Sequence, residues 1–126
     1  MKRFIIGLVV LSSLLIIGLL VARSTEKMYA PVVSLLEEAA DTALNGDFAV
    51  AKSRSEEAKR LWDQCKKMTA TVADHTPMEE IDHLFTEAEI YGKTQEIPHF
   101  AACCAQLAAM VRDMGDAHAL NMWNLL

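Results

Sequence analysis

An uninterrupted apolar segment opens the chain and differs in pattern from everything after it. Residues 4–22 read FIIGLVVLSSLLIIGLLVA and carry no charge. At about 1.5 Å of rise per residue this segment spans roughly 28 Å as a helix, close to the hydrocarbon thickness of a bilayer. The pattern predicts a transmembrane anchor over residues 1–23. The alternative is a cleaved signal peptide, since Ala22-Arg23-Ser24 loosely fits a small-x-small cleavage site, although signal peptides usually have shorter apolar cores.

Beyond the anchor, apolar residues recur at intervals of three and four, which is the spacing of amphipathic helices. A first helix is predicted from Pro31, which fits a first turn because its missing N–H costs nothing there. The anchor running straight into this helix, with a kink near Pro31, is the alternative. Gly46 closes the helix, since glycine tolerates the left-handed position after a C-terminus. Asp47 then caps a second helix of about seven turns, with Trp62 in the middle of its buried stripe.

Two further helices follow from local start and stop signals. Thr76-Pro77-Met78-Glu79 combines an N-cap, a proline at the first position and a capping-box acid, so a third helix is predicted from there to Gly92. The fourth is predicted from Glu96 or Pro98 to Met114, with Gly115 as its end. The apolar residues of the tail, 121–126, are expected to dock on the bundle.

The elements together predict an all-α protein, with an N-terminal transmembrane helix followed by an antiparallel bundle of about four helices in one domain, 24–126. The hairpin built on Asn45-Gly46-Asp47-Phe48, with Ala51, Ala58 and Trp62 downstream, is similar to a tetratricopeptide unit. Such units build concave peptide-binding surfaces. An ordinary bundle hairpin needs the same glycine turn and small residues, so both interpretations stay open.

Charge is distributed unevenly along the chain. Residues 1–23 carry a net charge of +3, whereas residues 24–126 hold 9 basic and 17 acidic side chains and carry −8. An acidic domain repels nucleic acid and anionic headgroups, so nucleic-acid binding is not expected. Lys2 and Arg3 before the apolar segment favour a cytoplasmic N-terminus. We therefore expect a single-pass protein of the cell membrane, attached through residues 4–22, with its C-terminal domain outside the cytoplasm.

Three cysteines, Cys65, Cys103 and Cys104, do not form a regular disulfide framework. Cys103 and Cys104 are neighbours on a helix and point about 100° apart, so they are not expected to bridge each other. Cys65 bridging one of them is one interpretation. Three buried thiols acting as small apolar side chains is the other.

His75, Glu79, Asp82 and His83 form the one spacing that could hold a transition metal, because histidine and carboxylate are metal ligands and residues four apart share a helix face. Pro77 is expected to begin the helix after His75, which would take His75 off that face. The alternative is structural: His75 pairs with Asp82 and fixes the angle between the second and third helices. Pro31, Gly46 and Trp62 are the other residues predicted to have structural roles.

A set of short motifs lies along the chain: His75, Ile81-Asp82, Tyr91, Phe100-x6-Leu107, Asn121 and Asn124-Leu125, together with the single N-terminal span and the Asn45-Gly46-Asp47-Phe48 turn. This set resembles a family of small membrane-anchored proteins of Gram-positive, often spore-forming, bacteria that is known only as a domain of unknown function. The resemblance covers nearly the whole chain. It implies a bacterial envelope location and an all-helical domain, and it supplies no catalytic residues. The family pattern has more charge around the histidine than Thr76-Pro77-Met78 provides here, and ordinary helix formers where Cys103-Cys104 stand.

No phosphate-binding glycine loop, nucleophile elbow or HExxH motif occurs in the sequence. We therefore predict no catalytic residues, no cofactor and no enzymatic activity. The predicted function is a non-enzymatic, membrane-tethered helical module that mediates protein–protein interaction, with another envelope protein or itself as partner. The alternative is an extracytoplasmic metal- or ligand-binding sensor domain that uses His75, Glu79, Asp82 and His83.

Overall fold

The described part of the chain forms four helices, α1 Lys2–Leu44, α2 Phe48–Thr69, α3 His75–Thr94 and α4 Ile97–Asn124. The structure, a computed structural model, describes residues 1–69 and 75–124, and within these it leaves out the side chains of 21–22, 24–26, 75–76 and 118–124. The described residues contain helices and turns and no strand. The predicted all-α class and helical bundle are confirmed.

Helix α1 is a single helix of 43 residues that joins the apolar segment to the bundle. Its length is about 64 Å at 1.5 Å per residue. Pro31 lies inside α1 and does not begin a helix, which corrects the first of the two interpretations made from the sequence. An internal proline removes one backbone hydrogen bond, here the one to the carbonyl of Lys27. Pro31 and Lys27 both lie on the exposed side of α1, where water can satisfy that carbonyl.

Helix α1 forms the centre of the bundle, packing against α2 on one side and α4 on the other, while α3 packs mainly on α4. The core is one continuous cluster of apolar side chains. Its largest fully buried members are Trp62, Phe85, Phe100, Leu36, Ile81 and Leu107. Because α2 and α3 contact each other less extensively than α1 and α4, α1 and α2, or α3 and α4 do, their relative position depends on few side chains.

The turn between α1 and α2 ends the first helix with a Schellman motif. The N–H of Asp47 donates to the carbonyl of Thr42 at 3.0 Å, and the N–H of Gly46 donates to the carbonyl of Ala43 at 3.3 Å. Gly46 has φ +94°, the left-handed backbone that glycine adopts without strain. A Cβ at Gly46 would meet nothing within 4 Å, so the need for glycine is conformational rather than steric.

The predicted ends of the last two helices are wrong. Gly92 lies inside α3, which continues to Thr94, and Gly115 lies inside α4, which continues to Asn124. A non-glycine residue, Gln95, takes the left-handed position after α3 with φ 58°. Helix α3 also begins at His75, two residues before Pro77. The docking of the tail falls on side chains outside those described.

Candidate functional site

A hydrogen-bonded junction holds α2 against α3. The indole Nε1 of Trp62 donates to Oδ1 of Asp82 at 2.8 Å, and Nζ of Lys66 donates to Oδ2 of the same carboxylate at 2.8 Å. Lys66 also lies 3.4 Å from Asp63, and the hydrogen bond to Asp82 is the main reason that the pKa of Lys66 is raised. Trp62 is fully buried, so its N–H is satisfied inside the protein rather than by water. One carboxylate therefore serves both a core side chain and a surface cation.

Tyr29 connects this junction to α1. Its ring centroid lies 6.3 Å from that of Trp62, with the planes tilted by 41°. The side chain is buried, and burial raises the pKa of the Tyr29 hydroxyl, while a hydrogen bond with the Thr69 side chain acts in the opposite direction. The carbonyl of Met28, the residue before Tyr29, accepts a hydrogen bond from the Cys65 thiol at 3.4 Å. Tyr29, on α1, thus packs against α2 on one side and presents its other edge toward Gly115 of α4.

A cleft opens on that other side of Tyr29, between α1 and α4. Its volume is about 380 Å³, within the range of small binding sites although near the lower end. The residues that line it are Tyr29, Ala30, Val33, Ser34, Glu37, Arg112, Gly115 and Asp116. The floor is apolar and the rim is charged, an arrangement that suits an apolar side chain flanked by polar or charged groups.

The rim of this cleft is held by an ion pair between the two helices. The guanidinium of Arg112 on α4 hydrogen-bonds the carboxylate of Glu37 on α1. Both side chains are about half exposed, so the pair adds little to stability in isolation. Asp116 adds a second carboxylate, so the rim carries two negative charges and one positive charge. The rim therefore favours a ligand with a positive charge.

Gly115 allows the close approach that shapes the cleft. A Cβ at this position would lie 3.3 Å from Cδ2 of the Tyr29 ring and 3.5 Å from its Cβ. The ring is buried and packed on Trp62, so it has little room to move away. Gly92 has a similar role in α3, where a Cβ would lie 3.4 Å from the Lys52 side chain.

The metal site considered from the sequence is not assembled by the residues described. The carboxylate of Asp82 is occupied by Trp62 and Lys66, and Nε2 of the exposed His83 lies 3.4 Å from Oε1 of Glu87. Glu79 is exposed, and the side chain of His75 lies outside those described. Within the described part of the chain, no three His, Cys, Asp or Glu side chains come together as metal ligands. Asp82 does link α3 to α2, as the structural interpretation requires, and its partners on α2 are Trp62 and Lys66.

All three cysteines are free thiols with buried side chains. Cys103 donates to the carbonyl of Leu84 at 3.2 Å. Burial raises the pKa of Cys103 to about 11 and that of Cys104 to about 12, and it also raises the pKa of Cys65. Since the thiolate is the reactive form, these groups are suited to packing rather than to nucleophilic chemistry.

The residues that form the cleft were not among those singled out from the sequence. Tyr29 extends the buried stripe of α1 by one turn before Val32, whereas the first of the two interpretations begins the helix two residues later, at Pro31. Continuing the three-and-four spacing back through the proline would have found it. Arg112 and Glu37 lie 75 residues apart in sequence, and no spacing pattern relates them.

Comparison with known proteins identifies a family and no characterised relative. The family described as "Domain of unknown function (DUF4363)" matches residues 19–125, which is most of the chain. No curated protein and no solved structure matches. The match includes all of α2 and α3, the cleft and the Trp62–Asp82 junction.

Proposed function

We propose that this chain, which belongs to the DUF4363 family, is a non-enzymatic helical module that is tethered to the cell membrane and binds another protein of the bacterial envelope, or a second copy of itself. The N-terminus lies in the cytoplasm and the bundle lies outside it. A Gram-positive host, which the resemblance implied, is part of the same proposal.

The tether is supported by the form of α1. Lys2–Leu20 is long and apolar enough to cross a membrane, and none of it is buried against the bundle. The same helix continues without interruption into the bundle core, from Tyr29 to Ala43. A signal sequence passes the same tests of length and composition. An uncleaved anchor is favoured because the helix continues through the region where cleavage would occur. Lys2 and Arg3 before the span favour the proposed orientation.

The observation that carries the binding proposal is the cleft between α1 and α4. Its apolar floor, formed by Tyr29, Ala30 and Val33, accepts an apolar side chain, and the rim carboxylates Glu37 and Asp116 accept a neighbouring cation. Protein interfaces commonly consist of one such apolar pocket inside a polar rim. The partner segment we expect therefore has an apolar side chain next to lysine or arginine.

The test is site-specific photocrosslinking in native membranes with the full-length chain. A benzophenone amino acid replaces Ser34, which is exposed and lines the cleft, and in a matched control it replaces Thr86, which is exposed on α3. We expect a discrete protein adduct from position 34 and not from position 86, weakened several-fold by Asp116→Lys, which replaces a rim carboxylate with a cation. An adduct of twice the monomer mass would identify self-association. Equal or absent crosslinking at the two positions would contradict the proposal.

A ligand-binding sensor domain is the second candidate, and the cleft volume of about 380 Å³ is the observation that favours it. The site would then lie at Tyr29 and Arg112, away from His75, Glu79, Asp82 and His83. Native mass spectrometry of the chain released from its own membrane separates the two candidates. A bound small molecule that is lost in a Gly115→Leu variant would support the sensor.

A further inference from the structure

The end of α2 lies beside the part of α1 that follows the apolar segment. Two contacts fix the alignment: Nε of Arg54 lies 3.1 Å from the carboxylate of Glu38, and the thiol of Cys65 lies 3.4 Å from the carbonyl of Met28. Between these contacts α2 advances by eleven residues while α1 goes back by ten. The two helices therefore run antiparallel and side by side, and each residue of α2 can be matched in height to a residue of α1 to within about one position.

This register places the last turn of α2 close to the membrane. Continuing the alignment three residues past Cys65 brings Met68 level with position 24 or 25 of α1, two or three residues after the apolar segment 4–22 ends. At 1.5 Å per residue, Met68 lies roughly 3–5 Å beyond the end of the apolar segment. The headgroup layer of one leaflet is about 5–8 Å deep, because a bilayer of 40–45 Å contains about 30 Å of hydrocarbon. Met68 is therefore at the depth of the headgroups.

The side chains at this level have the chemistry of an interfacial contact. Met68 is 74% exposed, more than Leu44 or Ile90, the other large apolar side chains exposed on the described part of the bundle. Lys67 beside it is exposed as well. A lysine can lay its alkyl stem along an apolar surface while its ammonium group reaches the phosphate layer. Lys67 and Met68 lie in the last turn of α2, which ends at Thr69.

Charge does not account for such a contact, because the cations and acids that the structure describes at this level nearly balance. Exposed Arg23 and Lys27 on α1 accompany Lys67 on α2, whereas exposed Glu79 and Glu80 lie on the first turns of α3. The pairing of Lys66 with Asp82 brings the start of α3 to the same height. A contact made by the tip of α2 would therefore depend on apolar insertion rather than on anionic lipid.

We propose that the tip of α2 is a second membrane contact, in which Met68 enters the headgroup layer of the leaflet that α1 leaves and Lys67 lies beside the phosphates. The inference rests on the proposed membrane anchoring. This second contact would fix the tilt of the bundle relative to the bilayer, because one helix spans the bilayer and a second rests on its surface.

The experiment places a polarity-sensitive fluorophore at position 68 of the full-length chain in phosphatidylcholine vesicles. Met68→Cys is labelled with a nitrobenzoxadiazole thiol reagent, and Ser53→Cys, exposed near the far end of α2, is the matched control. The native cysteines are buried, and the chain without added cysteine measures their background labelling. We expect blue-shifted emission at 68 and quenching by headgroup-proximal spin-labelled lipid at least threefold stronger than at 53, unchanged between 50 and 500 mM salt.

Flotation of the same vesicles after alkaline washing separates the two proposals. If the chain floats and the probe at 68 behaves as it does at 53, the membrane contact is refuted and the anchor stands. If quenching at 68 requires anionic lipid and disappears at high salt, apolar insertion is refuted. If the chain does not float, the proposed tether and this inference fail together.

Discussion

Replacing Asp82 with alanine tests whether one carboxylate holds α2 against α3. The substitution leaves the indole N–H of Trp62 buried without its partner and removes the closer of the two acids paired with Lys66. An unsatisfied buried donor costs about 1–3 kcal/mol. The ion pair adds less than about 1 kcal/mol because both side chains are partly exposed. We therefore expect the free energy of unfolding to fall by about 2 kcal/mol.

The assay is urea unfolding of the full-length chain in mild detergent, followed by circular dichroism at 222 nm. With a urea dependence of about 1–3 kcal/mol per M, a loss of 2 kcal/mol lowers the midpoint by roughly 1 M. Asp82→Asn should cost less, because the amide oxygen can still accept the indole hydrogen bond. Glu80→Ala, which removes an exposed acid two residues away, should change stability by no more than about 0.5 kcal/mol.

A double-mutant cycle with Trp62→Phe isolates the hydrogen bond. Phenylalanine keeps a buried ring but has no N–H, so Asp82→Ala made in that background should cost only the ion-pair contribution. We expect a coupling energy of about 1 kcal/mol between positions 62 and 82. A coupling near zero, or equal effects of Asp82→Ala and Glu80→Ala, would show that the junction does not stabilise the fold.

Three further predictions concern other parts of the chain. Gln95→Gly should stabilise the bundle by about 0.5–1 kcal/mol, because left-handed backbone costs a non-glycine residue about 1–2 kcal/mol. Gly46→Ala should destabilise the bundle by about 1 kcal/mol for the converse reason. Urea midpoints of the two variants that move in the same direction would contradict this reasoning. The pKa values of Cys103 and Cys104 are raised to about 11 and 12, so the stability that these thiols contribute is fully present below the unfolded pKa near 9 and is lost as pH rises through the folded values. The melting temperature should therefore fall above about pH 9. Alkylation of the native chain at about pH 8, measured by mass spectrometry, should be far slower than alkylation of the unfolded chain. Zinc should leave the melting temperature of the full-length chain unchanged, and a rise of several degrees that is abolished by His83→Ala would restore the metal-sensor interpretation.

The helical class and the number of helices in the bundle were predictable from apolar spacing, because four amphipathic stripes separated by turn residues have few other ways to bury their apolar faces. Helix ends were less predictable. Gly92 and Gly115 have the composition of C-terminal signals, but both lie within helices where a neighbouring side chain approaches closely. Gln95 takes the left-handed position that sequence rules assign to glycine. Local preference was overridden by tertiary packing at these positions.

The candidate site was less accessible to sequence reasoning than the fold. Trp62 and Asp82 could both be singled out, one from its place in a buried stripe and the other from its spacing, but nothing in one sequence indicates that they meet across 20 residues. Asp82 was assigned to His75 instead, because the two are close in sequence. The cleft depends on the pairing of α1 with α4, the two ends of the chain, and on a helix that continues through Pro31.

In the proposed membrane-anchored protein, the uninterrupted course of α1 would fix the rotation of the bundle about the helix axis relative to the membrane. Each residue of an α-helix turns the chain by about 100°, so the direction in which the cleft faces is set by the number of residues between Leu20 and Tyr29. One residue inserted there would turn the cleft by about 100° around the anchor and raise it by 1.5 Å, whereas seven would nearly restore its direction and lift it by about 10 Å. The proposed anchor would thus determine which way the bundle faces its neighbours, as well as where it is held.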